Sequence, residues 1–403
     1  MCEVTHSPTK GIGWLLLANC LERLAYYGFR AILVLFLIDQ GSGGVGWPTD
    51  KTLEFYGEFT AYTYLAVIVG GLCADFLVGA YLSTLLGAAL MALGYIGLTF
   101  IDSQSIYYAT SLIAIGTGLF KPNIPAMIAH QLQNFPEKLN SVFTGQYLLI
   151  NIGALLAPII VGATAEHVGW STGFALSAAV VSAAFLIILS QSKHLSKQSK
   201  QSNIKTKEQG GNLFAGIGVV VVTFVLSALF WAYYEVGASL LYGSFSEVMN
   251  DIGLIFSITS VLVTCITCFF LWWFFKIRSW YMVALSFSIY SIGWFFLNYS
   301  ISNEWNIRQI IILVMVLHAI AEVICSVIFM SIIAKKGFKP LISTSFAIHL
   351  YASALANFAG SHFTDGNKSL EALGWVCLTV GILLMLVQYS YNKFSGKKPI
   401  LAT

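Results

Sequence analysis

The chain reads as an all-α membrane protein of twelve transmembrane helices in two six-helix bundles, with both termini cytoplasmic. Three observations predict this. Of 403 residues, 57% are hydrophobic and only 10% are charged, at a mean hydropathy of +0.78. A soluble domain carries about a quarter charged residues, and so few charges cannot cover a globular surface in water. Second, the apolar residues gather in stretches of about 20, the length that crosses the hydrocarbon of a bilayer. Third, the basic residues fall almost entirely on one side of those stretches.

Breaks at Gly, Pro, Asn and charge delimit spans near 12–38, 53–77, 81–101, 106–131, 141–164 and 171–190, then 213–244, 252–275, 280–299, 307–334, 341–362 and 372–391. The first is read as a retained span: three charges lie inside its apolar run, which does not suit a cleavable signal. With both termini inside, fifteen Lys and Arg lie on the cytoplasmic side. Three lie opposite (Lys51, Arg308 and Lys368), a strong positive-inside bias. The longest polar interruption is rich in Ser, Lys and Gln and has the composition of a flexible linker. It divides the chain into an N-terminal bundle, 1–190, a cytoplasmic linker, 191–211, and a C-terminal bundle, 212–403. Six spans and six is how transporters with a midplane site are built, although a channel or a membrane enzyme also fits twelve spans.

Soluble enzyme, secreted scaffold and nucleic-acid binder are excluded. A net charge of +3 is too weak for nucleic acid. Six of the seven cysteines sit in apolar stretches, where cysteine behaves as a small hydrophobe. Cys265 and Cys268 have zinc-knuckle spacing but no second ligand pair, so no metal is expected.

The informative residues are the charges that stay within spans: Arg23, Arg30 and Lys121 against Glu22, Glu235 and Glu322, with Asp75 at the inner end of span two. Six unpaired charges would cost about 15–20 kcal/mol on insertion scales, so they are expected to pair and to line a water-filled cavity. Structural ion pairs are the plainer alternative, yet apolar contacts would hold a bundle as well. In span one, Asn19, Glu22, Arg23, Tyr26, Tyr27 and Arg30 share one arc of about 140° at about 100° per residue. Span four breaks at Gly116-Thr-Gly118-Leu-Phe-Lys121-Pro122-Asn123, which is expected to aim the lysine into the cavity; its stem could instead snorkel to the surface, but it sits about halfway along the span. Tyr147 and Asn151 in span five form a polar pair at i, i+4 that can hydrogen-bond a ligand. Span seven surrounds Glu235 with Trp231, Tyr233 and Tyr234, with Phe230 read as packing. Span ten carries His318, Glu322 and Ser326 on one face, and His349 in span eleven reads as a hydrogen-bonded lining residue, with a proton relay as the alternative. A cationic wall in the first half and an anionic wall in the second suit a zwitterion. Its carboxylate would meet the lysine and its amine a glutamate.

At these residues the chain resembles the proton-dependent oligopeptide transporters of the major facilitator superfamily, over about residues 12–360. The resemblance rests on Glu22-Arg23…Tyr26-Tyr27-Gly28-Phe29-Arg30, on Gly70-Gly71…Ala74-Asp75…Gly79, and on the Gly116–Asn123 run. It continues through Tyr147…Asn151-Ile-Gly153-Ala…Pro158, Phe230-Trp231-Ala…Glu235 and Glu322. It implies the major facilitator fold and import of di- and tripeptides by proton symport through alternating access. Lys121 would bind the peptide carboxylate and pair with Glu322 when the site is empty; Glu322 would receive the amine. Arg30 and Glu235 would form an extracellular gate, and Tyr26, Tyr27, Tyr64 and Asn151 would line the peptide site. Arg23, Arg30, Trp231, Ser326 and His349 complete the expected substrate set. Glu22, Arg23, Arg30, Glu235, Lys121 and Glu322 form the expected coupling and gating set.

The chain departs from the family at Asn19, where the family's Glu-x-x-Glu-Arg motif has its first acid, and at His349, where relatives often carry Trp. The linker is too short for the two extra helices of many bacterial members. Asn19 takes no proton, which keeps open an uncoupled carrier of amino acids or other small solutes, or a peptide-sensing receptor that does not transport. No nucleophile–base pair supports an enzyme, and no cofactor is expected. The expected partners are a small peptide, protons and the bilayer, with no nucleic acid and no second copy. The expected place is a bacterial inner membrane.

Overall fold

A computed structural model describes residues 11–41, 43–100, 103–192, 195, 213–245, 248, 261–271, 279–303, 305–360 and 368–394. Among them there is no strand. The chain runs through α1 (Ile12–Ile38), α2 (Thr49–Cys73), α3 (Ala80–Gly97), α4 (Ser103–Phe120), α5 (Asn123–Gln131), α6 (Leu139–Ala157), α7 (Ala163–Val168), α8 (Trp170–Ser190) and α9 (Leu213–Ser244). It continues through α10 (Val261–Leu271), α11 (Ser279–Ser302), α12 (Ile307–Lys336), α13 (Ile342–Gly360) and α14 (Lys368–Phe394). Two π-turns interrupt it, Ala74–Val78 after α2 and Pro158–Gly162 between α6 and α7.

By length and apolarity, eight of the described helical runs can cross a membrane. Helix α1 is long enough, at 27 residues, but three charges lower its apolarity. The stretch expected near 252–275 is described only over 261–271, and most of the linker 191–211 lies outside the described residues. Span four is two helices, α4 and α5, because Pro122 has no N–H to offer and the chain turns at Lys121 and Pro122 before Asn123 restarts the helix. Span five is likewise α6, a π-turn that opens with Pro158, and α7.

The residues fall into two compact units: 1–220 with 333–351, and 221–332 with 352–403. In the first, α1 packs along α6 and α8, and α4 packs along α2 and α3. The α2–α4 and α3–α4 crossings are backbone on backbone. A Cβ at Gly118 would strike the carbonyl of Ala66, and one at Gly70 would strike the carbonyl of Gly118. At the second crossing a Cβ on Gly87 would lie 2.5 Å from the Gly116 oxygen, and one on Gly116 would lie 2.6 Å from that of Gly87. Small residues let membrane helices approach this closely, where dispersion and weak C–H···O contacts replace a hydrophobic drive. An aromatic core of Phe29, Phe36, Tyr95 and Phe174, all fully buried, fills the space between α1, α3 and α8.

The second unit is centred on α11. Phe287, Tyr290 and Trp294 are fully buried, and Phe230 of α9 packs on Phe287 and Tyr290 with centroids 5.5 and 5.3 Å apart. The Tyr290 hydroxyl donates to the Tyr233 carbonyl at 3.0 Å, and Ser291 donates to that of Gly374 at 2.7 Å, tying α11 to α9 and α14. Phe230 is the packing residue that its position in the aromatic run predicts.

Replacing Gly118 with Val should cost at least about 1–3 kcal/mol, the usual price of overpacking, because the contact is backbone with nowhere to move. The check is the thermal midpoint of purified protein in detergent. Gly13→Ala, at a position with open space around it, should leave that midpoint within about a degree.

Candidate substrate site

In the first unit the predicted residues of span one do assemble. Glu22 and Arg23 are both buried, and the guanidinium forks onto its neighbour's carboxylate, Nε to Oε2 at 2.6 Å and Nη2 to Oε1 at 2.5 Å. A two-point charge-assisted bond of this kind is the geometry that lets opposite charges remain in a low dielectric. The Arg23 guanidinium also sits 5.0 Å from the Tyr26 ring centre and 5.8 Å from that of Tyr27. Arg30, two turns further on, lies 5.9 Å from Tyr26 and 5.2 Å from Tyr56, and its Nε donates to the Tyr56 hydroxyl at 2.8 Å. Its Nη2 donates to the same oxygen. Tyr56, on α2, is a partner of Arg30 that the sequence does not single out.

Lys121, half-buried at the α4–α5 break, has its ammonium 5.1 Å from the Tyr64 ring centre. Its electrostatic neighbours are Arg23, Glu22 and Arg30, so these four charged groups share one region of the unit. Glu22 and Arg23 cancel. Arg30 and Lys121 leave two positive charges among Tyr26, Tyr27, Tyr56 and Tyr64, where ring faces stabilise cations without neutralising them. An arrangement of this sign receives an anion. The Asn151 amide donates to the Tyr147 carbonyl one turn back at 2.9 Å, so its nitrogen is partly engaged within α6. Asn19 is buried, and its Nδ2 has no hydrogen-bond partner among the described residues.

At the other end of the unit, Asp75 closes a second constellation. Its carboxylate accepts the backbone N–H groups of Ser343 at 3.2 Å and Thr344 at 2.7 Å, in the first turn of α13. Those amides have no partner within their own helix, and the carboxylate meets the positive end of its dipole. Gly79, at φ 84°, ends the π-turn in a conformation that side chains resist. Nearby, Lys335 donates to Asn140 at 2.8 Å, and Phe143 packs on Phe346. A Cβ on Gly71 would lie 2.7 Å from that of Ala347. Lys339 donates to the Ala334 carbonyl, and burial pushes its ammonium below the usual lysine range. His349 is buried in this same unit.

In the second unit, Glu235, Trp231, Glu322 and Ser326 are half-buried. Trp231 packs edge-on against Tyr234 at 5.4 Å. His318 shares a helix face with Glu322 but is drawn into the core: its ring stacks on Tyr290 at 4.1 Å and leans on Trp294 at 4.7 Å.

Residues 81–217 match the family model described as PTR2, POT family. The chain is also similar to a di-/tripeptide transporter of Lactococcus lactis subsp. lactis (strain IL1403), 32% identical over 240 residues, or 58% of this chain and 48% of that protein. Dipeptide and tripeptide permease B of Shigella dysenteriae serotype 1 (strain Sd197) is 28% identical over 247 residues, 61% of this chain and 46% of its own. The chain thus spans about half the length of the curated relatives it matches. Among solved structures, a variant of the peptide transporter POT in complex with alafosfalin aligns at TM-score 0.64 and 20% identity over 97% of this chain and 96% of that one. A POT family transporter in complex with thioalcohol conjugated peptide aligns at 0.60 and 19%, over 94% and 96%. At those identities the likeness shows the fold. The matched segment contains Lys121 and Asn151, and the span-one constellation precedes it in the chain.

Tyr56→Phe keeps the ring and removes the oxygen that accepts both Arg30 donors. It should cost about 1.5–3 kcal/mol, the net value of a hydrogen bond to a charged group, read as a lower thermal midpoint in detergent. An unchanged midpoint would mean that Arg30 finds another acceptor.

Proposed function

We propose that this chain is a secondary active transporter that imports di- and tripeptides by proton symport through alternating access. Its organisation would be twelve spans in bundles 1–190 and 212–403, joined by the linker 191–211, with both termini cytoplasmic in a bacterial inner membrane. The observation that carries the reading is the surplus of positive charge at Arg30 and Lys121, set among four tyrosines in the first unit. It is supported by relatives named as di-/tripeptide transporters and by the one-sided distribution of Lys and Arg.

In this proposal Lys121 takes the peptide carboxylate and Glu322 the amine. Tyr26, Tyr27, Tyr64 and Asn151 contact the backbone between them, and Arg23, Trp231, Ser326 and His349 shape the remaining walls. Peptide binding competes with a Lys121–Glu322 pair, and protonation of Glu235 removes the charge that would hold Arg30 at an outer gate. Glu22 stays with Arg23 and keeps that guanidinium oriented. An inside-negative potential adds about 2.3 kcal/mol per charge per 100 mV to the inward movement of a proton.

Asn19 favours a second reading, an uncoupled carrier on the same fold. It stands one turn from Glu22 and Arg23, it is buried, and it cannot carry a proton.

The test is lumenal pH in liposomes holding the purified protein under an inside-negative potential, with dialanine added outside. Symport predicts acidification in wild type and none in Lys121→Ala or Glu322→Ala, both retaining a wild-type elution profile. Dialanine uptake without acidification would establish the uncoupled carrier. Acidification at the wild-type rate in either variant would overturn the site assignment.

A further inference from the structure

His318 stands one turn before Glu322 on α12, and none of the proposed transport steps uses it. Its side chain is 7% exposed and lies against α11, in a slot made by Tyr290, Gly293 and Trp294. Against Tyr290 the rings are 29° from parallel with centroids at 4.1 Å, and the Trp294 centroid is 4.7 Å away. Gly293 is the floor. A Cβ there would lie 2.7 Å from Nε2, so the imidazole fits because this position has no side chain.

The slot suits one protonation state. Its polar contribution to the ring is the backbone of Tyr290, which serves a single ring N–H, and a neutral imidazole has one such donor. Nε2, turned toward Gly293, has no hydrogen-bond partner among the described residues. A proton added there would be a buried donor without an acceptor, on a ring that has become charged. The stacked faces of Tyr290 and Trp294 soften a cation, but a second N–H lies in the plane of the imidazole and cannot reach them. The titratable groups around this nest are Tyr290 itself, Tyr234 and Glu235 of α9 and Cys377 of α14, the last three being electrostatic neighbours of Tyr290. Glu322 follows on α12. Among the described residues, no charged group acts on the imidazole where it lies.

We propose that His318 is a proton-operated latch with two positions. Neutral, with its proton on Nδ1, it sits in the slot on α11. Protonated, it swings along its own helix to the Glu322 carboxylate at i+4. The first position holds above the ordinary histidine range, about pH 6.5, and is lost as pH falls, because only the second answers the added charge. Acid therefore unpins α12 from α11 and sets a cation beside Glu322. The latch does not depend on the transport reading.

The test is NMR of the full chain in nanodiscs with labelled histidine, His318 being assigned by the signals missing from His318→Phe. At neutral pH its ring protons should carry the large ring-current shifts of a stacked imidazole, with the proton on Nδ1. Acidification should remove those shifts at the pH where the ring becomes charged. Glu322→Gln takes away the partner of the swung ring, so the same change should need about tenfold more protons, or about one pH unit. Gly293→Ala should expel the ring, leaving the shifts absent already at neutral pH. Should that variant fail to fold, thermal midpoints decide: wild type should lose more between about pH 7 and 5 than His318→Phe, which keeps an aromatic ring and takes no proton. A charged His318 that keeps its ring-current shifts, a His318 that stays neutral and stacked until the chain unfolds, a wild-type titration in Glu322→Gln, or equal pH slopes in wild type and His318→Phe would each overturn the proposal.

Discussion

Hydrocarbon offers no hydrogen bonds, so every charge this chain admits to a span has to be answered by another part of the protein. The first unit answers in four ways. Glu22 and Arg23 answer each other across a single peptide bond. Arg30 uses one phenolic oxygen for two donors, Lys121 lies over a ring face, and Asp75 takes backbone amides of α13. Only the first of these cancels a charge outright, and the second and third leave positive charge in place where a ligand can use it. The arrangement therefore separates charges that hold the bundle from charges that remain available within it.

The same constraint explains why the tyrosines matter more than their number suggests. A ring face lowers the cost of a buried cation without supplying a counter-charge, so Tyr26, Tyr56 and Tyr64 hold Arg30 and Lys121 ready for an anion in a way that a glutamate would not. In the second unit the aromatic residues do different work. Phe230, Tyr290, Trp294 and His318 pack on one another as core, while Glu235 and Glu322 sit half-buried outside that nest.

Much of this was legible in the residues themselves. The helix limits of α1, α8, α9 and α12 fall within two residues of where apolar runs meet Gly, Ser or charge. The polar arc of span one predicts the Glu22, Arg23, Tyr26 and Arg30 group directly, because helical spacing alone brings those side chains together. Tyr56 was not legible: it lies 26 residues from Arg30, and nothing in its own surroundings distinguishes it from an interfacial tyrosine. The π-turns were equally hidden, since Pro158 marks a disturbance without specifying its width. His318 shares a helix face with Glu322, yet the pull of Tyr290 and Trp294 on another helix decides where its ring goes, and periodicity carries no information about that.

The glycine crossings of α4 with α2 and α3 carry a mechanical consequence. Side chains between helices act as compliant padding that rotamer changes can reshape, and where backbone meets backbone there is no padding. Helices in such contact resist sliding, because a shift of even one residue replaces Gly118 or Gly116 with a side chain that does not fit. Helices α2, α3 and α4 therefore behave as a single stiff plate. Whatever conformational travel this protein undergoes has to be absorbed at its side-chain-filled seams and at the π-turns, where the helical hydrogen-bond ladder is already loosened.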